Sequence, residues 1–232
     1  MNRNLVWQNI WNKKGEDKDQ PLHILDGYDL LTSDEFDNLV KKVISPLTLR
    51  GSESICECGC GAGAFLLSLL KLYPNLKVTG VDYSSTLLER ARESINGDFI
   101  LSDITDLSLL PTASFDHTMS FGVFFYLSSE DAARRAVTEM LRITKPGGCV
   151  YIGEIPDQSK FSHAEEIRSQ SHRSVHHVSP LNPDHLYFNK SFFLDFADQN
   201  SVNVVIVDHT ELDLKEYKAA LYRFSVYLTK LI

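Results

Sequence analysis

Between residues 54 and 155 the sequence alternates short strand patterns with helical ones, and this alternation constrains the fold more than any other feature. Strand patterns cover 54–58, 76–81, 98–101, 115–121 and 149–155; helical patterns cover 64–73, 84–95 and 128–144, with Ser84 and Ser128 as opening residues. Strands separated by helices imply βαβ units and a parallel sheet with helices on both faces. After residue 189 comes one more helix, 190–199, and then strands 202–208 and 223–229 joined by a short polar link. A short link suits an antiparallel pair that closes the sheet edge. The expectation is an α/β fold with a seven-stranded sheet, mostly parallel, whose last strand is antiparallel.

The flanks of this core read differently. Residues 3–14 form a short helical pattern carrying Leu5, Trp7, Ile10 and Trp11, followed by the charged break GEDKDQP. Ser33 and Asp34 then precede a helix with Phe36, Leu39, Val40, Val43 and Ile44 on its apolar face. Residues 156–189 are rich in Ser, His and Pro, hold five of the eight histidines and leave room for a short helix near 164–173. A single domain is expected over 1–232, with 1–50 as a helical cap or lid, 51–154 as the core, 155–189 as an insertion over the substrate and 190–232 as closing helix and strand pair. The two tryptophans either pack on the domain or belong to a lid hinged near Gly27.

The first strand runs into the stretch ICECGCGAGAF, residues 55–65, where three cysteines and three glycines alternate. A zinc site needs a second ligand pair, and Cys149 stands alone, so no metal is expected. If the strand reaches Cys58, Cys56 and Cys58 share one face and pack as small buried thiols. Gly59, Gly61 and Ala64 fit the G-x-G-x-x-G/A pattern of a loop that brings backbone close to a ligand at a helix N-terminus. Glu57, just before that loop, would repel a pyrophosphate and suit a ligand carrying positive charge.

Residues 55–63, ICECGCGAG, resemble motif I of the class I S-adenosylmethionine-dependent methyltransferases, an acidic residue followed by G-x-G-x-G. The later motifs follow in order. VTGVD, 78–82, ends the second strand on Asp82, which in that family holds the ribose hydroxyls. FILSDI, 99–104, places Asp103 where the family contacts the adenine amino group. LRITKPGG, 141–148, resembles the turn into the fifth strand. The resemblance covers residues 55–154 and implies a Rossmann-like fold with S-adenosylmethionine as cofactor and S-adenosylhomocysteine as its product. It implies cofactor contacts at Glu57, Gly59, Cys60, Gly61, Gly63, Asp82, Tyr83, Asp103, Ile104, Ser120 and Phe121. Asp116 is expected to brace its turn.

The acceptor side is less determined. The family places substrate residues after the fourth and fifth strands and in caps, which points to Tyr28, Phe125, Tyr126, Glu154 and Tyr187. Methyl transfer is an in-line displacement that depends on alignment, and a hydroxyl acceptor usually needs a general base. His163, His172, His176, His177 and His185 are the histidines of the insertion. His185, just before the helix at 190, ranks first as base, and His176 and His177 follow; adjacent residues in extended chain face opposite ways, so at most one of that pair points inward.

The formal net charge of −8 argues against a polyanionic partner such as nucleic acid. No apolar run approaches the ~20 residues of a membrane span, and the N-terminus lacks a signal-peptide h-region. A cytoplasmic monomer or homodimer acting on a small molecule is the expectation, with oxygen preferred over nitrogen as acceptor. No Asn-Pro-Pro-Tyr motif follows the fourth strand, where Ser120-Phe121-Gly122-Val123 stands, which counts against amino-methylating enzymes of adenine and glutamine. Two other readings stay open at this point: a nicotinamide-dependent oxidoreductase, from the shared glycine pattern, and a cofactor-binding module without catalysis.

Overall fold

The structure, a computed structural model, describes residues 3–172 and 185–231. The chain begins with helix α1 (Arg3–Gly15), one turn α2 (Leu22–Leu25) and α3 (Ser33–Val43). The sheet units follow as β1 (Ser54–Cys58), α4 (Ala64–Leu72), β2 (Lys77–Asp82), α5 (Ser85–Ser94), β3 (Asp98–Leu101), β4 (Phe115–Phe121), α6 (Glu130–Ile143) and β5 (Thr144–Pro156). Helices α7 (Phe161–His172) and α8 (Lys190–Gln199), then strands β6 (Asn203–Asp208) and β7 (Arg223–Thr229), complete it; 3₁₀ turns fill the link between the last two.

Local chemistry sets the element ends. Thr32, one residue before the expected cap, opens α3: its hydroxyl accepts from Glu35 N at 3.3 Å while its own N–H donates to Glu35 Oε2 at 2.7 Å. The reciprocal box needs Glu three residues on, and Glu35 satisfies that only for Thr32. At α6 a one-way cap suffices: Ser129, not Ser128, accepts from Ala132 N through its hydroxyl at 3.2 Å. Strand β5 starts earlier than its apolar run because Thr144 pairs with Phe115 before a register shift leads to the pair His117–Cys149. Asp116 braces this place, accepting from Ser54 N at 2.8 Å and from Lys145 Nζ at 2.7 Å.

The seven strands lie in the order β3-β2-β1-β4-β5-β7-β6. All neighbours are parallel except β7, which runs antiparallel to both β5 and β6. Strand alternation sorts side chains onto two faces. Ile55 joins α3 and α4 residues such as Leu39, Val40, Leu66 and Leu69 in one apolar cluster. Cys56 and Cys58 face the other way, with α6 and α8 residues such as Ala136, Met140, Phe193 and Phe196. Helices therefore cover both faces. The order reverses between β1 and β4, which opens a crevice at the carboxyl ends of these strands.

The N-terminal segment is tied across this end of the sheet. Gln8 Nε2 donates to Tyr83 O at 2.9 Å, Thr86 Oγ1 donates to Asn12 O at 2.7 Å, and Ser84 Oγ donates to Asn12 Oδ1 at 2.8 Å. Among the described residues no helix is long and apolar enough to cross a membrane.

A β-bulge distorts the β5–β7 pair between Ile152 and Ile155, and Glu154 sits in it with φ of +64°. Its fully buried carboxylate accepts from Arg223 Nη1 and Tyr217 Oη, and His209 Nδ1 lies 3.1 Å from its second oxygen. Burial alone would raise this carboxyl, but Arg223, aided by His209 and Tyr217, holds it at about 2. Breaking one side of a buried pair leaves an uncompensated charge. Arg223→Met should therefore lower stability by roughly 3–5 kcal/mol in urea unfolding, and adding Glu154→Leu should recover much of that loss.

Candidate active site

A pocket opens at the carboxyl ends of β1, β2 and β4 and gathers residues from distant parts of the chain. Glu57, Gly59, Cys60, Gly61, Asp82, Tyr83, Asp103, Ile104 and Phe121 line it, together with Tyr28 and Tyr126. Each core residue arrives there because it ends a parallel strand or belongs to the loop that follows.

Glu57 takes its orientation from the pleat of β1, whose alternation turns it away from Cys56 and Cys58. It is buried, and its Oε2 has no hydrogen-bond partner. Burial, and then repulsion from Asp26, Cys58 and Asp82, pushes its carboxyl well above the usual range. Gly61 adopts φ of +54° and its N–H donates to Asp82 Oδ2 at 2.8 Å. A Cβ on Gly61 would overlap Asp26 Oδ1, so only glycine permits this approach. Asp82 also accepts from Ser84 N through Oδ1 at 2.8 Å, and each of its oxygens keeps a lone pair for a ligand hydroxyl. Burial raises Asp82 to about 6 against the pull of these amides. Asp103 turns Oδ1 back on Thr105, accepting from N and Oγ1 at 2.8 Å each, which fixes its carboxylate at the rim.

Cys60 stays a thiol: burial and the neighbouring carboxylates push it well above its ordinary value. Among the described residues no group of three His, Cys, Asp or Glu side chains could hold a metal ion.

Other expected residues lie elsewhere. Gly63 precedes α4 with φ of +88°, and a Cβ there would meet Ile95 Cδ1 at 2.6 Å, so it serves helix packing behind the loop. Ser120 is buried beside the pocket without lining it. Glu154 is engaged with Arg223, and Tyr187 donates to Glu165 at 2.9 Å. Phe125 and His185 stand one layer back; the imidazole lies 4.7 Å from Phe125, 5.3 Å from Tyr126 and 5.9 Å from Trp7. His176 and His177 fall outside the described residues.

The site also holds residues the motifs did not indicate. Trp7, Trp11 and Phe36 form an aromatic wall with Tyr28, Phe121 and Tyr126; Tyr28 stacks on Phe121 at 5.6 Å, and Trp7 meets Tyr126 edge-on at 4.5 Å. Asp26, after α2, accepts from Ala62 N at 2.6 Å and Ala64 N at 2.9 Å. Burial raises it to about 7, opposed by those two amides. An Asp-Gly pair in a loop reads as a turn, and nothing in the sequence shows that this one reaches the glycine loop.

Among the described residues, four carboxylates (Asp26, Glu57, Asp82 and Asp103) and no Lys, Arg or His line the pocket. This donor set fits a cationic nucleoside: hydroxyls can reach Asp82, a positive centre can sit before Glu57, and aromatic faces favour a cation. It does not fit a pyrophosphate.

Comparison with known proteins agrees. Residues 55–148 match the family model described as a methyltransferase domain. The chain is 32% identical over 108 residues to the ubiquinone/menaquinone biosynthesis C-methyltransferase UbiE of Desulfotalea psychrophila, covering 46% of this chain and 43% of that protein. In alignment it spans about half the length of the curated relatives it matches. Its fold is similar to that of a chain in the complex between the Haloferax volcanii Trm112 methyltransferase activator and a methyltransferase. That match has a TM-score of 0.67 and 18% identity, and covers 95% of this chain and 97% of that one. Human N-acetylserotonin methyltransferase, solved in complex with SAM, aligns with a TM-score of 0.58 at 14% identity, over 83% of this chain and 52% of that one.

Two outcomes follow for binding of S-adenosylhomocysteine measured by calorimetry. Asp82→Ala should weaken it by about 1–3 kcal/mol, the range for hydrogen bonds to a charged group. Affinity should also rise from pH 5 to pH 7 and then level off, because Asp82 must lose a proton whose pKa is raised to about 6 before both its oxygens accept from the ligand. An affinity that is flat or falling over that interval would contradict the assignment.

Proposed function

We propose that this chain, whose residues 55–148 match a methyltransferase domain, is a class I S-adenosylmethionine-dependent methyltransferase that transfers a methyl group to an oxygen of a small-molecule acceptor. The observation that carries the proposal is the acid-lined, aromatic-walled pocket at the β1–β4 switch point, with no cationic side chain among its lining residues. S-adenosylmethionine supplies, when bound, an electrophilic methyl group carried on a positively charged sulfur.

The chain's own residues divide the remaining work. Asp82 and Asp103, each fixed by neighbouring amides, are the proposed holders of the nucleoside. Glu57 is the proposed partner of the positive charge. Tyr28, Phe121, Phe36 and Tyr126 form an apolar wall that keeps water from the reacting groups, and Tyr28 and Tyr126 are the proposed acceptor contacts. In such a dry site fixed charges act more strongly than in water. The Tyr28 hydroxyl has no hydrogen-bond partner among the described residues, and burial raises its pKa well above the ordinary value, so it is suited to donate a hydrogen bond to an acceptor oxygen. His185, whose ring packs on Phe125 and Tyr126, is the proposed proton acceptor. Acidic walls disfavour a phosphate backbone, which supports a small acceptor over a nucleic acid.

The test is incubation of the purified protein with methyl-labelled S-adenosylmethionine and a metabolite extract. Label should appear in a low-mass product as a methyl ether or ester. Label in macromolecular precipitate, or in a methylamine, would contradict the acceptor proposed. With that acceptor, His185→Ala should lower kcat by about 10²-fold or more while cofactor affinity stays close to wild type; unchanged turnover would remove His185 from the mechanism.

A further inference from the structure

The methyltransferase motifs account for three of the four pocket carboxylates and leave Asp26 without a role. Its two oxygens accept one loop amide each, from Ala62 N and Ala64 N, which fixes the carboxylate at the start of α4 and leaves its charge without a cation among the described residues lining the pocket. A carboxylate brings extra negative charge beside Glu57 and Asp82 in a place where burial already disfavours it. Lys14, the cation that tempers Asp26, is engaged with Ile24 O at 2.7 Å and Asp29 Oδ1 at 3.2 Å. No lining residue supplies the missing positive charge.

Three unpartnered polar atoms belong to the same cavity. Glu57 Oε2 is an acceptor, and Glu57 is only 2% exposed. Trp7 Nε1 and Tyr28 Oη are donors on residues 5% and 8% exposed. Buried polar groups are rarely left unmade, so each of these points to a ligand. With Tyr28 Oη assigned to the methyl acceptor, an acceptor that lacks a cation (Glu57) and a donor that lacks an acceptor (Trp7), on the walls of one pocket, are the complement of an α-amino-acid zwitterion.

Resting on the methyltransferase reading above, we propose that Asp26, together with Glu57, binds the α-ammonium group of the cofactor's amino-acid end. The N-terminal segment, and not the sheet core alone, thereby completes the cofactor site. Each Asp26 oxygen retains a lone pair after accepting from a loop amide, so the ammonium is bound without release of the loop. Trp7 offers its indole N–H to the carboxylate of the same zwitterion. Contacts of α1 with Tyr83 and Thr86 hold the segment at the nucleoside end, while Asp26 holds it at the glycine loop.

The experiment compares three probes by calorimetry on wild type and Asp26→Asn: S-adenosylhomocysteine, its deamino analogue, and 5′-methylthioadenosine, which lacks the amino-acid end. Wild type should bind S-adenosylhomocysteine about tenfold or more tighter than the deamino analogue, the scale of a charge-assisted hydrogen bond. Asp26→Asn should lose most of that preference and keep 5′-methylthioadenosine binding within about twofold of wild type. Equal wild-type affinity for the first two probes overturns the inference, whether or not the variant folds. A preference that survives in Asp26→Asn overturns it too. Tighter binding of S-adenosylhomocysteine by Asp26→Asn also overturns it, since Asp26 would then occupy the seat of the cofactor's carboxylate. Failure of wild type to bind any of the three overturns the methyltransferase reading itself, whereas the other contrary results leave that reading standing.

Discussion

Uncompensated negative charge around one glycine is the constraint on which the rest of this structure turns. Asp26, Glu57 and Asp82 converge on the loop at Gly61, and no cation among the lining residues balances them. Carboxylates out of water are costly unless paired. The fold meets part of that cost with backbone amides: Gly61 and Ser84 serve Asp82, and Ala62 and Ala64 serve Asp26. Glu57 receives no such help at Oε2. A positively charged ligand is what this arrangement lacks.

The contrast with the other buried carboxylate is instructive. Glu154, near the end of the fifth strand, is also fully enclosed, yet its charge is met by Arg223, with His209 and Tyr217 beside it. One acid is held far below the ordinary range and the others are raised above it. The same chain thus contains a completed ion pair that fixes the β5–β7 bulge and an incomplete one that faces a cavity. Environments that push like groups apart in pKa mark where structure ends and binding begins.

Much of this was legible in the sequence. The strands at 54–58, 98–101, 115–121 and 223–229 stand where their patterns placed them, because each is a short β-rich apolar run bounded by turn or helix signals. Site residues were legible at strand ends: Glu57 and Asp82 are among the last two residues of their strands, and Asp103 stands two residues past its own. Caps shifted by a residue, to Thr32 and Ser129, because only the reciprocal contact with Glu35 or the amide of Ala132 distinguishes neighbours of similar chemistry. Asp26 and Phe36 were not legible as site residues, and Trp7 was legible only as one of two alternatives, in a lid. They reach the pocket through contacts with loops 30 or more residues away, for which no periodic pattern exists. The same limit applied to His185, whose place in sequence is next to the site but whose ring turns into an aromatic cluster.

The central claim is that this pocket selects a cationic sulfonium nucleoside and rejects a pyrophosphate dinucleotide that could use the same glycine loop. Parallel calorimetric titrations of the full chain with S-adenosylmethionine and with NADH test it most directly. The account predicts saturable one-to-one binding of S-adenosylmethionine and no measurable heat with NADH. Binding of NADH, or of neither, would contradict it.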